Sequence, residues 1–113
     1  MPTDETAPQE IDVKTAAEWL RDGTAVLVDV RETIEHQQER IAGAKIVPLS
    51  TLKPDDFVDF RETRLVLHCA VGQRSMLAGQ FLMQCGVPRP YNMSGGIEAW
   101  KEAGLPVETG ILE

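Results

Sequence analysis

Cysteine, aromatic residues and positive charge are all scarce in this chain. Two cysteines in 113 residues are too few for a disulfide framework, and neither lies in a Cys-x-x-Cys pair or a zinc-like cluster, so no structural metal is expected. Eleven Lys and Arg against eighteen Asp and Glu leave a net charge of -7, so no basic field exists to hold nucleic acid or an anionic membrane. No apolar run approaches the length of a membrane span. The N-terminal stretch has neither a basic region nor an apolar core, which predicts a cytoplasmic protein. Hydrophobic residues make up 42% and charged residues 26%, an ordinary balance that places the chain among single compact domains. Residues 1–9 are polar, acidic and proline-bearing and are expected to form a flexible tail, with one domain over 10–113.

The stretch that organises the rest is His68-Cys69-Ala70-Val71-Gly72-Gln73-Arg74-Ser75. It follows the apolar Leu65-Val66-Leu67 and precedes a helical pattern, so Cys69 leaves a strand and faces a helix start. Gly72 allows the tight curl that this requires, and successive N–H groups can then point into one bowl. A helix N-terminus adds partial positive charge at the same place, which favours a thiolate or a persulfide built on it. Cysteines in such settings titrate at roughly 3.5–7.5 against about 8.5 when free, which makes Cys69 the candidate nucleophile. A cysteine ending an apolar strand is otherwise small core packing. Packing alone, however, requires neither a glycine three residues on nor an arginine five residues on.

Elsewhere the pattern alternates strands and helices. Asp12 is expected to cap a helix carrying Val13, Ala16, Ala17 and Leu20, stopped at Gly23, with Trp19 as partly buried core. Ala25 to Val30 reads as a strand buried on both faces, interrupted by Asp29 near its C-terminal end. Asp29 can accept hydrogen bonds from amides of a neighbouring loop or pair with Arg31, and the two roles are compatible. Thr33 offers a cap for a charged helix from Ile34 to about Arg40 whose Glu and Gln residues form a solvated face, with His36 on the surface. Lys45 to Val47 is a short strand, and Leu52 to Phe60 a short helix with Phe57 and Phe60 inward and Asp55, Asp56 and Asp59 in water. Arg64 to His68 feeds the cysteine loop. From Ser75 a stripe of Leu77, Ala78, Phe81, Leu82 and Cys85 is expected to pack, with Cys85 too far along the helix to bridge to Cys69. Pro90 to Met93 is the last strand, and Ile97 to Ala103 the last helix, with Ile97 and Trp100 inward and an extended tail after Pro106. This alternation predicts an α/β fold: a small doubly wound sheet of mostly parallel strands flanked by helices on both faces.

Four stretches together resemble a single rhodanese domain from about Ile11 to Pro106: Leu27 to Glu32, Ile41 to Ala44 with Val47-Pro48-Leu49, the Cys69 to Ser75 loop, and Tyr91 to Trp100. The resemblance implies that Cys69 takes a sulfane sulfur from thiosulfate or a small-molecule or protein persulfide, and passes it to a thiol or cyanide. It implies that amides of Ala70, Val71, Gly72, Gln73, Arg74 and Ser75 cradle the outer sulfur, and that Arg74 helps to hold substrate or loop. Asp29 and Arg31 support the site, and no metal or organic cofactor is required. Family members that use thiosulfate well often carry a basic residue after the cysteine, where this chain has Ala70, so thiosulfate is expected to be a weak donor. Cysteine phosphatases and arsenate reductases place one residue more between cysteine and arginine than the four found here, a ring sized for a larger guest. The remaining alternative is a non-catalytic rhodanese-like interaction or sulfur-carrier module, since a fold does not guarantee an activity.

Overall fold

A computed structural model describes residues 6–57 and 63–110. In chain order the elements are β1 (Gln9–Ile11), α1 (Val13–Arg21), β2 (Ala25–Asp29), α2 (Thr33–Gln38), β3 (Glu39–Arg40), β4 (Lys45–Ile46), β5 (Arg64–His68), α3 (Gln73–Gln84), β6 (Tyr91–Met93), α4 (Gly96–Glu102) and β7 (Glu108–Thr109). Five strands form one parallel sheet in the order β1-β6-β5-β2-β4, and β3 pairs antiparallel with β7 outside it.

Residue alternation along the two central strands divides the interior in two. Leu27 and Val66 face a core with Ile11, Ala16, Met93, Ile97 and Trp100, which α1 and α4 cover. Val28, Leu65 and Leu67 face the other side, against Ala78 and Leu82 of α3 and Phe57. Strands buried on both faces read as continuous apolar runs, as Ala25 to Val30 does. From β2 the chain moves outward to β4 on one side and then returns to β5 on the other. The strand order therefore reverses between β2 and β5, and open α/β sheets place ligands beyond the strand ends at such a switch point. Asp29 and His68 are register partners there, one residue before Cys69.

Several expectations need correction. Ala7 and Pro8 are buried and Gln9 begins β1, so residues 7–9 belong to the domain and not to a tail. They are held because β1 hydrogen-bonds to β6 and the Arg89 guanidinium donates to the Ala7 carbonyl at 2.8 Å. Within the range 52–60, where a helix was expected, the described residues hold a 3-10 turn at Pro54–Phe57, preceded by another at Leu49–Thr51. Pro54 starts the second of them, Phe57 is buried, and Asp59 and Phe60 lie outside the described residues. Helix α2 begins at Thr33, whereas Glu32 precedes it and donates its amide to the Glu35 carboxylate at 3.0 Å. Helix α2 also stops at Gln38, because Glu39 and Arg40 extend to pair with β7. The segment after Pro106 thus contains a strand where an extended tail was expected. The buried face of α3 is Ser75, Ala78, Gly79 and Leu82, while Leu77 and Phe81 are exposed, as is Cys85. Gly79 sets that rotation: a Cβ there would run into the Pro8 ring, so the helix presents its smallest residue to the N-terminal segment.

Candidate active site

Strand β5 ends at His68, and the next residue, Cys69, is 1% exposed. The chain then turns through Ala70 and Val71 to Gly72, whose φ of 103° lies in the left-handed region that favours glycine. Helix α3 starts at once and has no capping side chain at Gly72. The Cys69 sulfur stands in for one. It accepts from the Gly72 amide at 3.1 Å and from the Ser75 amide and hydroxyl, each at 3.4 Å. First-turn amides have no partner within a helix, and here they are spent on sulfur. Burial pushes the Cys69 thiol up, but the Ser75 hydroxyl and the amides of Ser75, Gly72 and Val71 outweigh it and bring the thiol below its ordinary range.

Helix α4 fixes the outer side of the loop. The Ile97 amide donates to the Cys69 carbonyl at 2.9 Å and the Glu98 amide to the Ala70 carbonyl at 3.1 Å. These contacts need Gly96, where an added Cβ would overlap the Cys69 and Ala70 carbonyl oxygens and where φ is +60°. The paired glycines at 95 and 96 were the visible sign of this approach.

Arg74 does not point into the bowl. Its two terminal nitrogens bind the two Glu35 oxygens at 2.8 and 2.9 Å, tying α3 to α2. That contact holds the Glu35 carboxyl down at about 2, with the Arg74 hydrogen bonds as the main cause. Arg74 is thus placed as a brace for the loop. Gln73 is exposed at the first turn of α3, Val71 is exposed at the loop's crest, and Ala70 is half-buried.

Asp29 and Arg31 form the floor beneath the loop. Asp29 is fully buried and takes four contacts from Arg31: the backbone amide at 3.0 Å, Nε at 3.0 and 3.1 Å, and a terminal nitrogen at 2.8 Å. The pairing with Arg31 is thus observed, and the backbone amide that Asp29 accepts from is that of Arg31, not one from a neighbouring loop. Arg31 also donates to the Glu39 carbonyl at 2.6 Å. Burial raises the Asp29 carboxyl, yet Arg31, His68 and His36 together leave it below the usual carboxylate range.

His36, expected on the surface, is buried with Nδ1 3.0 Å from Asp29 Oδ2, so Nδ1 carries the proton. The charged composition of α2 hid this, because only the fold brings its fourth residue over the end of β2. His68 is also fully buried. Its Nδ1 donates to the Cys69 carbonyl at 3.1 Å, and its Nε2 lies 3.9 Å from Asp29 Oδ2. Burial holds His68 below the ordinary imidazole range, so it stays neutral under the loop.

Two residues near the sulfur escaped the sequence reading. Asn92, buried on β6, accepts from the Ser75 hydroxyl at 2.5 Å and donates to Glu10 at 2.9 Å and to the Gly72 carbonyl at 3.2 Å. Glu10 in turn accepts from Ser94. An amide side chain at the C-terminal end of a buried strand was the available signal. Both residues line a cavity of about 540 Å³ beside the loop, together with Gly72, Met76 and Leu77.

A buried cysteine ringed by loop amides at the switch point of a parallel sheet defines a cysteine-centred α/β domain. The rhodanese-like domain family matches residues 12–103, and the chain belongs to that family. It is 33% identical over 102 residues to a thiosulfate sulfurtransferase GlpE of Glaesserella parasuis, covering 89% of this chain and 94% of that protein. A sulfurtransferase of Allochromatium vinosum is 37% identical over 100 residues, covering 87% of this chain and 92% of that protein. The chain also matches an uncharacterized Synechocystis protein at 39% identity over 93 residues, where the match covers 82% of the chain and 52% of that relative. Among solved structures, a rhodanese-related protein from Thermoplasma volcanium superposes with a TM-score of 0.76 at 31% identity, covering 88% of this chain and 97% of that one. Family membership and these relatives support sulfurtransferase activity at the level of the family.

Proposed function

We propose that the protein transfers a sulfane sulfur through a persulfide on Cys69. The observation that carries this reading is the sulfur itself, at the end of β5 with two loop amides and a hydroxyl at 3.1–3.4 Å. The Cys69 thiolate attacks the outer sulfur of the donor, and sulfite or a thiolate leaves with the bonding electrons. An acceptor thiolate or cyanide then attacks the outer sulfur of the persulfide, and the Cys69 thiolate is regenerated. The negative charge persists through both half-reactions, so fixed dipoles aimed at it serve every step, much as an oxyanion hole serves oxygen. A depressed thiol pKa also makes Cys69 a good leaving group in the second half. Amides of the 70–75 loop hold the outer sulfur, while Arg74, Asp29 and Arg31 keep the loop in place.

The donor is thiosulfate or a persulfide of a small molecule or protein, and Ala70 favours the persulfide because a divalent anion finds no cation beside it. The acid excess of the chain goes with a protein that has no nucleic-acid or anionic-membrane partner, and a cytoplasmic location is part of the same reading. Among the described residues no helix is long and apolar enough to cross a membrane. The reading is tested by thiocyanate production from cyanide with thiosulfate and, separately, with glutathione persulfide. Turnover that is lost in Cys69→Ser supports it. No turnover with either donor would leave the interaction or carrier module as the better account.

A further inference from the structure

We propose that Asn92 is a positioning residue for Cys69, holding the Ser75 hydroxyl proton and so limiting how far that hydroxyl turns to sulfur. The proposal deepens the Cys69 reading and rests on it, but its readout is ionisation of the thiol, which needs no sulfur donor.

The Ser75 hydroxyl has one proton and two acceptors in reach: Asn92 Oδ1 at 2.5 Å and Cys69 Sγ at 3.4 Å. Asn92 cannot turn round to relieve the competition. Its Nδ2 is committed to a Glu10 carboxylate oxygen at 2.9 Å and to the Gly72 carbonyl at 3.2 Å, both of which only accept. Glu10 is itself held by the Ser94 hydroxyl. The amide oxygen therefore faces Ser75 permanently, and any hydrogen bond the hydroxyl gives to a thiolate is made at the expense of a shorter one. The Ser75, Gly72 and Val71 amides carry no such competition.

This arrangement has a chemical use. Attack on a donor sulfur weakens as the thiol pKa falls, so a thiolate stabilised by every available donor is a poorer nucleophile. Once the sulfur is carried, the charge lies on the outer atom and Sγ no longer needs the hydroxyl. Asn92 thus spares the free thiolate from excess stabilisation and leaves the persulfide undisturbed.

Of the charged groups around the thiol, Arg74 favours the thiolate even while paired with Glu35, and Glu98 pairs with Lys101; that attraction does not pass through Asn92, whose partners are Ser75, Glu10 and Gly72. Asp29 is bound to Arg31 and His36, and His68 stays neutral. Glu10 is the remaining charged group behind Asn92, and loosening its carboxylate would raise the thiol pKa, opposite to the effect proposed.

The test follows ultraviolet thiolate absorbance against pH in a Cys85→Ser background, with Cys69→Ser subtracted. Asn92→Ala should lower the Cys69 pKa by about one unit, a tenfold change in ionisation. In that background, Ser75→Ala should raise it again by about 1.5 units, whereas Ser75→Ala alone should raise it by only about half a unit, since Asn92 already holds back part of the hydroxyl's contribution. The high-pH alkylation rate of Asn92→Ala should fall roughly threefold, the decrease in nucleophilicity that a one-unit shift brings. An unchanged or raised pKa in Asn92→Ala, or a fall that survives Ser75→Ala, overturns the proposal. If Asn92→Ala does not fold, Asn92→Leu of similar volume takes its place. If neither folds, Ser75→Ala alone decides: a rise of a full unit or more overturns the proposal, and a smaller rise supports it.

Discussion

Arg74 grips Glu35 through two nitrogen–oxygen contacts of 2.8 and 2.9 Å, so the arginine closing the cysteine loop is braced against α2. This pair makes a stability prediction with a definite sign. The Glu35 carboxyl titrates at about 2 in the fold against an ordinary 4.5, mainly through its Arg74 hydrogen bonds. Its contribution is therefore present above the ordinary value and lost as pH falls from about 4.5 to about 2. Both side chains are about a third exposed, so Glu35→Gln should cost only about 0.5–1 kcal/mol at neutral pH. In urea titrations the gap between parent and variant should narrow on acidification to pH 3; a gap that stays constant contradicts the pairing.

Asp29 stands in sharper contrast because nothing around it is solvated. Asp29→Asn keeps the shape but leaves the Arg31 guanidinium buried beside a neutral amide. Breaking one side of a buried pair costs about 3–5 kcal/mol, and the urea midpoint should fall accordingly. A loss under about 1 kcal/mol would show that the pair does not anchor the end of β2.

Gly96 tests the loop from its other side. An added Cβ would overlap the Cys69 and Ala70 carbonyls, so Gly96→Ala should push the loop outward and tilt its amides away from the sulfur. Misplacement on that scale slows reactions roughly 10–100-fold, and the sulfur-transfer rate should drop by that factor while the far-ultraviolet spectrum is preserved. An unaffected rate would mean that the α4 contacts do not position the loop.

Ala70 bears on the choice of donor. Ala70→Arg supplies a cation beside the sulfur, and one charge-assisted contact of about 1.5 kcal/mol should lower the KM for thiosulfate roughly tenfold. The KM for a singly charged persulfide such as that of 2-mercaptoethanol should fall much less than that for the divalent thiosulfate. Equal effects on both would show that the residue acts on the loop and not on the anion.

The elements that carry the site were largely legible because their chemistry is local. Gly72 after Cys69 and the Asp29-Val30-Arg31 run are each required by a turn or an ion pair within a few residues. What sequence could not show depends on long-range contact. His36 looked solvated because its neighbours on α2 are charged, and its burial follows from Asp29, seven residues earlier. Cys85 sat on an apolar stripe, but Gly79 against Pro8 rotates α3 and leaves it outside. Asn92 and Glu10 are eighty-two residues apart and acquire meaning only when β1 lies beside β6.

The central claim is that Cys69 carries one extra sulfur atom, and the intact mass of the protein tests it most directly. After incubation with glutathione persulfide and removal of excess donor, the parent should gain the mass of one sulfur atom, and cyanide should take it away. Cys69→Ser should gain nothing, whereas Cys85→Ser should behave as the parent. An unchanged mass in the parent, or a gain that survives Cys69→Ser, would contradict the account.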